Sequence, residues 1–327
     1  MDYINYVKQS PMMGQIGFGG GATSLGRYAG GSVQGPHDGN RAIAGGGYTA
    51  GYVSTIGYKT ISTLGNFSYF GELGDAKYGL NAASGGDVDG DATRALFMGG
   101  GDTKTDNINY VTVATTGNSS YFGDLLEAIY QANGTCSNGP RILYCGGYGE
   151  SGQTQTINYV ATLTTGNAQD FGDMYSNRYA GSGTSDGSRG IIFGGYSPSN
   201  KIDYITIDTL GNSANFGTLS SNASTQSGSF SNNTLGFVGG LGELGIDKIT
   251  IATLGNGTDV GDLTANRWGN PGCSNGESGD RGMWIGGYDD GVNSNVVDYI
   301  TMSSAGNATD FGDLNYSARG LGACSGD

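Results

Sequence analysis

Two kinds of apolar segment alternate along the chain, and each predicts a strand. The first is a continuous run closed by two glycines: RALFMGG at 94–100, RILYCGG at 141–147, RGIIFGG at 189–195 and RGMWIGG at 281–287, with related copies at 41–47 and 234–240. A run of four or five apolar residues bounded by turn residues suits a strand buried on both faces. The second kind alternates as Ile-x-Tyr-x-Thr, with tyrosine at Tyr6, Tyr58, Tyr110, Tyr159, Tyr204 and Tyr299, and Lys248 as the exception. Large residues at every second position on a β-branched background predict a half-buried strand.

Two further segments complete the unit. A Gly-Asn pair follows the tyrosine strand at 65–66, 117–118, 166–167, 211–212, 255–256 and 306–307, and both residue types tolerate the positive φ of tight turns. The next strand ends at Phe-Gly, usually with an acid after it: Glu72, Asp124, Asp173, Asp262 and Asp313. Between Phe-Gly and the next apolar run lies a stretch rich in small residues that often opens on a basic residue and ends on Ser, as in 77–84, 178–185 and 267–274. Such a segment suits the crowded inner wall of a ring.

Spacing ties these pieces together. A β-branched residue stands fourteen positions before Phe-Gly or its counterpart in seven copies: Ile4/Phe18, Ile56/Phe70, Ile108/Phe122, Ile157/Phe171, Ile202/Phe216, Ile246/Val260 and Val297/Phe311. Successive copies lie 44 to 52 residues apart. A rigid unit joined by loops of varying length, repeating every 40–50 residues, points to a propeller or a solenoid. Four antiparallel strands per unit, repeated radially, make a propeller blade. The chain is expected to be all-β, one propeller over 1–327. Residues 27–314 hold six complete units, 1–26 carry an extra third and fourth strand, and 315–327 carry an extra first strand at 319–325.

The opening Arg, the apolar strand ending in Gly-Gly, the Tyr-bearing strand and the aromatic in the last strand resemble the kelch repeat over nearly the whole chain. Phe-Gly-Asp stands where kelch repeats usually carry Trp. Kelch propellers commonly close with strands from both termini in one blade, and the two ends of this chain look like that arrangement. The resemblance therefore implies a kelch-like propeller closed by both termini, with seven blades, or six as the alternative. The wording of 297–314, VDYITMSSAGNATDFGDL, is also similar to repeats in tail-fibre and other virion proteins of tailed, especially marine, phages.

Composition narrows the partners. The 65 glycines come with 21 Tyr and 11 Phe, a mixture that many short strands and tight turns require. A net charge of −14 opposes nucleic-acid binding, which needs a positive face for the phosphates. No apolar run approaches the ~18 residues of a membrane span, so no membrane insertion is expected. The opening MDYINYVKQS lacks the basic and apolar regions of a signal peptide. Cys136, Cys273 and Cys324 each precede Ser where another copy has Ala83-Ser84, which suggests small buried sites. All four cysteines, Cys145 included, are read as free thiols.

Candidate chemistry is sparse. His37, the single histidine, lies in a loop with no nucleophile at a motif spacing. The acids after Phe-Gly recur in successive units, whereas paired carboxylates for glycoside hydrolysis belong to one site. They are read as partners of nearby backbone amides. Arg94, Arg141, Arg189 and Arg281 also repeat, and pairing with those carboxylates between blades is expected. Asp87, Asp89 and Asp91 alternate like calcium-loop ligands but lack the closing Glu, and a solvated turn is the reading preferred. No catalytic residue, metal or cofactor is expected. Variation lies instead in the loops at 49–55, 102–107, 149–156, 197–201 and 289–296. Loops on a rigid scaffold are where binding concentrates. Tyr52, Tyr175 and Tyr316 are the candidate binding residues. The expected role is a non-enzymatic virion module, a fibre, spike or surface decoration, assembled in host cytoplasm. Its partners would be other virion proteins, a host-surface glycan or a host protein, with a homo-oligomer left open. The alternative is a cellular or secreted kelch-like interaction or glycan-binding propeller.

Overall fold

Every repeated segment after residue 38 forms a strand in the computed structural model, which describes residues 39–86, 92–101, 104–196, 200–223, 225–241 and 244–327. The strands among these residues make six four-stranded antiparallel sheets, the blades of a β-propeller. Blade 1 runs from the inner to the outer strand as Gly322–Gly326, Arg41–Gly45, Val53–Thr60 and Ser68–Lys77. Blade 2 is Asn81–Gly85, Arg94–Met98, Thr105–Thr112 and Ser120–Ile129. Blade 3 is Gly134–Ser137, Arg141–Gly149, Gly152–Ala161 and Gln169–Asp173. Blade 4 is Ser182–Ser185, Arg189–Phe193, Lys201–Thr206 and Ala214–Thr218. Blade 5 is Ser229–Ser231, Leu235–Leu241, Gly245–Thr250 and Thr258–Asp262, and blade 6 is Gly272–Ser274, Arg281–Asp289, Val292–Thr301 and Thr309–Asp313.

The blade count departs from the preferred expectation of seven. The C-terminal strand pairs with blade 1, Ile43 opposite Cys324 and Gly45 opposite Gly322. It therefore fills the inner position that sequence spacing assigned to residues just after 26. The strand pair expected at 4–18 lies outside the described residues.

The fourteen-residue offset is a hairpin register. Ile56 pairs with Gly71, Ile108 with Gly123, Ile157 with Gly172, Ile202 with Gly217, Ile246 with Gly261 and Val297 with Gly312. In each blade the register slips by one residue just after that pair, a β-bulge. Bulges bend the strand and raise its twist, which suits the steep outer edge of a blade.

Each Gly-Asn turn also clasps a neighbouring blade. The Asn side-chain oxygen accepts the backbone N–H of the residue after Phe-Gly or its counterpart: Asn118 from Glu72, Asn167 from Asp124, Asn212 from Asp173, Asn256 from Thr218, Asn307 from Asp262 and Asn66 from Asp313, all at 2.9–3.1 Å. These six bonds link each blade to the next in one circuit. The repeated acids thus contribute their backbone N–H to the clasp, not a carboxylate partner for an amide.

The repeated arginines also differ from expectation. Arg94, Arg141, Arg189 and Arg281 donate to backbone carbonyls of the next blade, at Thr162, Ile207, Ile251 and Ile61, over 2.7–3.1 Å. Each guanidinium lies 4.6–4.9 Å from the ring of its own blade's tyrosine, Tyr110, Tyr159, Tyr204 or Tyr299. Those tyrosines meet Phe122, Phe171, Phe216 and Phe311 edge to face. The ion pairs among the described residues are instead Arg178–Asp203 and Arg267–Asp298, both at 2.5 Å and fully buried inside one blade.

The core is correspondingly distributed. Buried apolar residues group where two blades meet: Ile43, Ile56 and Phe70 of blade 1 pack with Ala95, Phe97 and Val111 of blade 2. Inner strands are joined at their far ends by serines, Ser185 Oγ donating to the Ser137 carbonyl, Ser231 to Ser185, Ser274 to Ser231 and Ser325 to Ser274. All four cysteines are free and buried.

Candidate functional site: an aromatic mouth at one end of the channel

One face carries both the variable loops and the links between blades, and two repeated positions fill it with rings. The residue after Gly-Gly supplies Tyr48, Tyr148, Tyr196 and Tyr288; the residue eight positions after the Phe of Phe-Gly, or its counterpart, supplies Tyr78, Tyr130, Tyr179, Trp268 and Arg319. Isolated bridges join the two positions within a blade, Tyr48 to Arg319, Tyr130 to Tyr148, Tyr179 to Tyr196 and Trp268 to Tyr288. The blade is thus extended one step beyond its edge, and the rings are brought together there.

A backbone collar supports them. Gly79 N–H donates to Gly320, Gln131 to Gly79, Ala180 to Gln131, Gln226 to Ala180, Gly269 to Thr225 and Gly320 to Gly269, at 2.7–3.0 Å. The six donors all have left-handed backbone, φ 51–68°. Gln131, Ala180 and Gln226 do so without being glycine, a strain of order 1 kcal/mol each that only a surrounding structure can impose. Across the opening, Gln131 Nε2 donates to Gln226 Oε1 at 3.4 Å.

Below the collar the channel is narrow. Its two spaces measure about 40 and 30 Å³ and are lined by Asn81, Thr135, Ser182, Thr184 and Ser229 among small residues. This is room for about two or three waters in each. The mouth is different: a cavity of about 320 Å³ is lined by Tyr52, Gly101, Lys104, Tyr130, Gln131, Tyr148 and Tyr179. That is the lower end of the size range for small-molecule sites, about 300–1,000 Å³.

The rings touch at their edges. Tyr48 meets Tyr52 at 5.6 Å, Tyr52 meets Tyr78 at 6.2 Å, Tyr78 meets Tyr130 at 5.7 Å and Tyr148 meets Tyr179 at 5.3 Å between centroids. Burial, then the neighbouring Tyr78, raises the Tyr130 phenol above its ordinary range, and burial followed by Tyr196 and Tyr148 raises Tyr179. These phenols stay neutral and able to donate. Lys104 Nζ lies 4.8 Å from the Tyr148 ring and donates to the Gly149 carbonyl at 2.6 Å. Arg319 takes the place of a ring and sits against four, Tyr288 at 4.1 Å, Tyr48 at 4.9 Å, Trp268 at 5.2 Å and Tyr78 at 5.9 Å.

Of the residues singled out from sequence, Tyr52 lines the cavity. Tyr175 is exposed and does not line it. Tyr316 is half-buried and does not line the cavity: its hydroxyl donates to the carbonyls of Gly46 and Thr55, at 3.0 and 2.9 Å, and burial raises its pKa. It ties the C-terminal segment to blade 1. Asp87, Asp89, Asp91 and His37 lie outside the described residues. Among the described residues, no group of three or more His, Cys, Asp or Glu is placed to hold a metal ion, and no helix is long and apolar enough to cross a membrane.

No protein-family model matches the chain, and no curated protein matches it in sequence.

Proposed function

We propose that this propeller is a non-enzymatic recognition module of a virus particle, part of a fibre, spike or surface decoration, and that it contacts a host-surface glycan through the aromatic mouth. The observation that carries the recognition half is the cavity walled by four tyrosines and Lys104 on the loop-bearing face. Flat amphipathic rings with neutral hydroxyls stack on sugar faces while donating to sugar hydroxyls. Among the described residues the lining offers no nucleophile with an adjacent base, which supports binding over turnover. The virion half is supported by the wording of 297–314, similar to phage tail-fibre repeats.

Binding of the purified protein to host-surface glycans, measured on an array with Tyr148→Ala and Tyr179→Ala as controls, tests the first half. Signal that both variants retain in full would overturn the mouth as the contact. Mass spectrometry of purified particles tests the second: absence of this chain favours the alternative, a cellular or secreted kelch-like binding propeller.

A further inference from the structure

Resting on that glycan-binding reading, we propose that the mouth selects an acidic sugar, with Lys104 meeting its carboxylate and the tyrosines taking its ring. The chain as a whole is poor in positive charge, with 15 Lys and Arg against 29 Asp and Glu. Yet among the described residues the charged side chain in the cavity wall is a cation, and none of those lining it is a carboxylate. Glu127 stands beside Gly149 with Oε2 nearest it, while its Oε1 accepts the Thr154 hydroxyl at 2.7 Å, and it does not line the cavity. An ammonium has three donors; Lys104 commits one to the Gly149 carbonyl and keeps the others for a ligand.

A second cation reinforces the bias. Arg319 forms no ion pair among the described residues, and its Nε has no hydrogen-bond partner. It is held on ring faces, which attract a cation without neutralising it. Tyr78 touches both Arg319 and Tyr130, so the guanidinium stands one ring away from the cavity wall. Local positive charge is the arrangement needed for an anionic ligand on a protein whose net charge of −14 repels it at long range. The remaining polar group suits the sugar itself: Gln131 uses Nε2 on Gln226 and leaves Oε1 to accept from a hydroxyl. A carboxylate accepts charge-assisted hydrogen bonds from Lys104, about twice as strong as neutral ones, while a neutral sugar keeps only the stacking and hydroxyl contacts.

The test is calorimetric titration of the full chain with hexuronate tetrasaccharides (galacturonate, mannuronate and guluronate) against the same sugars with the carboxyl reduced to an alcohol. At least one acidic sugar is expected to bind ten-fold or more tightly than its reduced counterpart. Lys104→Met should abolish that preference, bringing the acidic sugar to the affinity of its reduced counterpart; Tyr148→Ala should weaken both. Equal affinity for acidic and reduced sugars, or a Lys104→Met variant that keeps the preference, would overturn the proposal. So would binding of neither class. The broader glycan reading is judged separately by the array signal and its loss in Tyr179→Ala, so the two failures are distinguishable.

Discussion

The side-chain oxygen of Asn66 accepts the backbone N–H of Asp313 at 3.1 Å, across 247 residues of sequence. It joins blade 6 to blade 1, and the Gly65 N–H reinforces it by donating to the Phe311 carbonyl at 2.9 Å. Asn66→Ala is expected to cost about 1 kcal/mol, the net worth of one hydrogen bond. Gly312→Ala should cost more, because Gly312 has φ 141° and a Cβ there would stand 2.6 Å from the Gly65 carbonyl carbon. Denaturant midpoints of the two variants check the order. A Gly312→Ala protein as stable as wild type would show that the turn docks with slack.

Blade 5 lacks the arginine–tyrosine–phenylalanine stack: its register sets Leu235 opposite Thr250 as Arg94 lies opposite Thr112, and Lys248 and Val260 take the ring positions. The substitutions are mutually consistent, since Leu235 and Val260 both pack against one apolar cluster. Introducing Leu235→Arg alone should destabilise, because the guanidinium finds Lys248 where other blades offer a ring. The triple variant Leu235→Arg, Lys248→Tyr, Val260→Phe should recover more than the single effects sum to. A coupling of about 1 kcal/mol or more in a mutant cycle is expected.

The Arg267–Asp298 pair is wholly buried, and Arg267 also donates to the carbonyls of Gly286 and Val296 at 2.8 and 2.6 Å. Asp298 accepts the Thr264 hydroxyl at 2.6 Å as well. Removing one partner strands a charge in the interior, so Asp298→Ala should cost about 3–5 kcal/mol. Arg267→Met combined with Asp298→Ala should cost less than the two single changes added together. Additive losses in thermal unfolding would argue against an interdependent pair.

Lys77 is buried and donates to the Asn107 carbonyl at 3.1 Å. Burial pulls its pKa down to about 8 from 10.5, with Asp75 and Asp106 opposing that shift. Between those values the unfolded chain holds the proton and the folded chain does not, so stability from this group rises with pH from about 8 to 10.5. Measured against Lys77→Met, the wild-type protein should gain up to about 3 kcal/mol over that window. Parallel stability curves for the two proteins would contradict the shift.

The strands are legible in the sequence because their signals are local. Apolar run, alternating tyrosine strand, Gly-Asn turn and Phe-Gly each reflect burial and turn geometry within about fifteen residues. The arginines were misread for the same reason. Sequence shows Arg141 and the repeated acids in fixed order, but not that the guanidinium spans to the Ile207 carbonyl while Asp124 offers its backbone N–H to Asn167. Both partners lie in another repeat.

The aromatic mouth was half visible. Tyr52 stood out in a loop, and the rings after Gly-Gly were present as a period in the sequence. Their convergence was hidden, because Tyr78 and Tyr130 lie 52 positions apart and meet through the collar. Tyr316 shows what a linking-loop tyrosine hides in sequence: its hydroxyl donates to Gly46 and Thr55, both far from it along the chain.

The repeat unit, its four strands, their register and the all-β class follow from the chain alone, since hydrogen-bonding and apolar periodicity act between near neighbours. The number of blades, the strand that completes blade 1, the clasps between blades and the cavity required the folded ring. Residues 322–326 carry the same small-residue pattern as any inner strand, and nothing local states which edge they join. That choice is made when Ile43 and Cys324 are brought side by side and their strands satisfy one another's backbone groups.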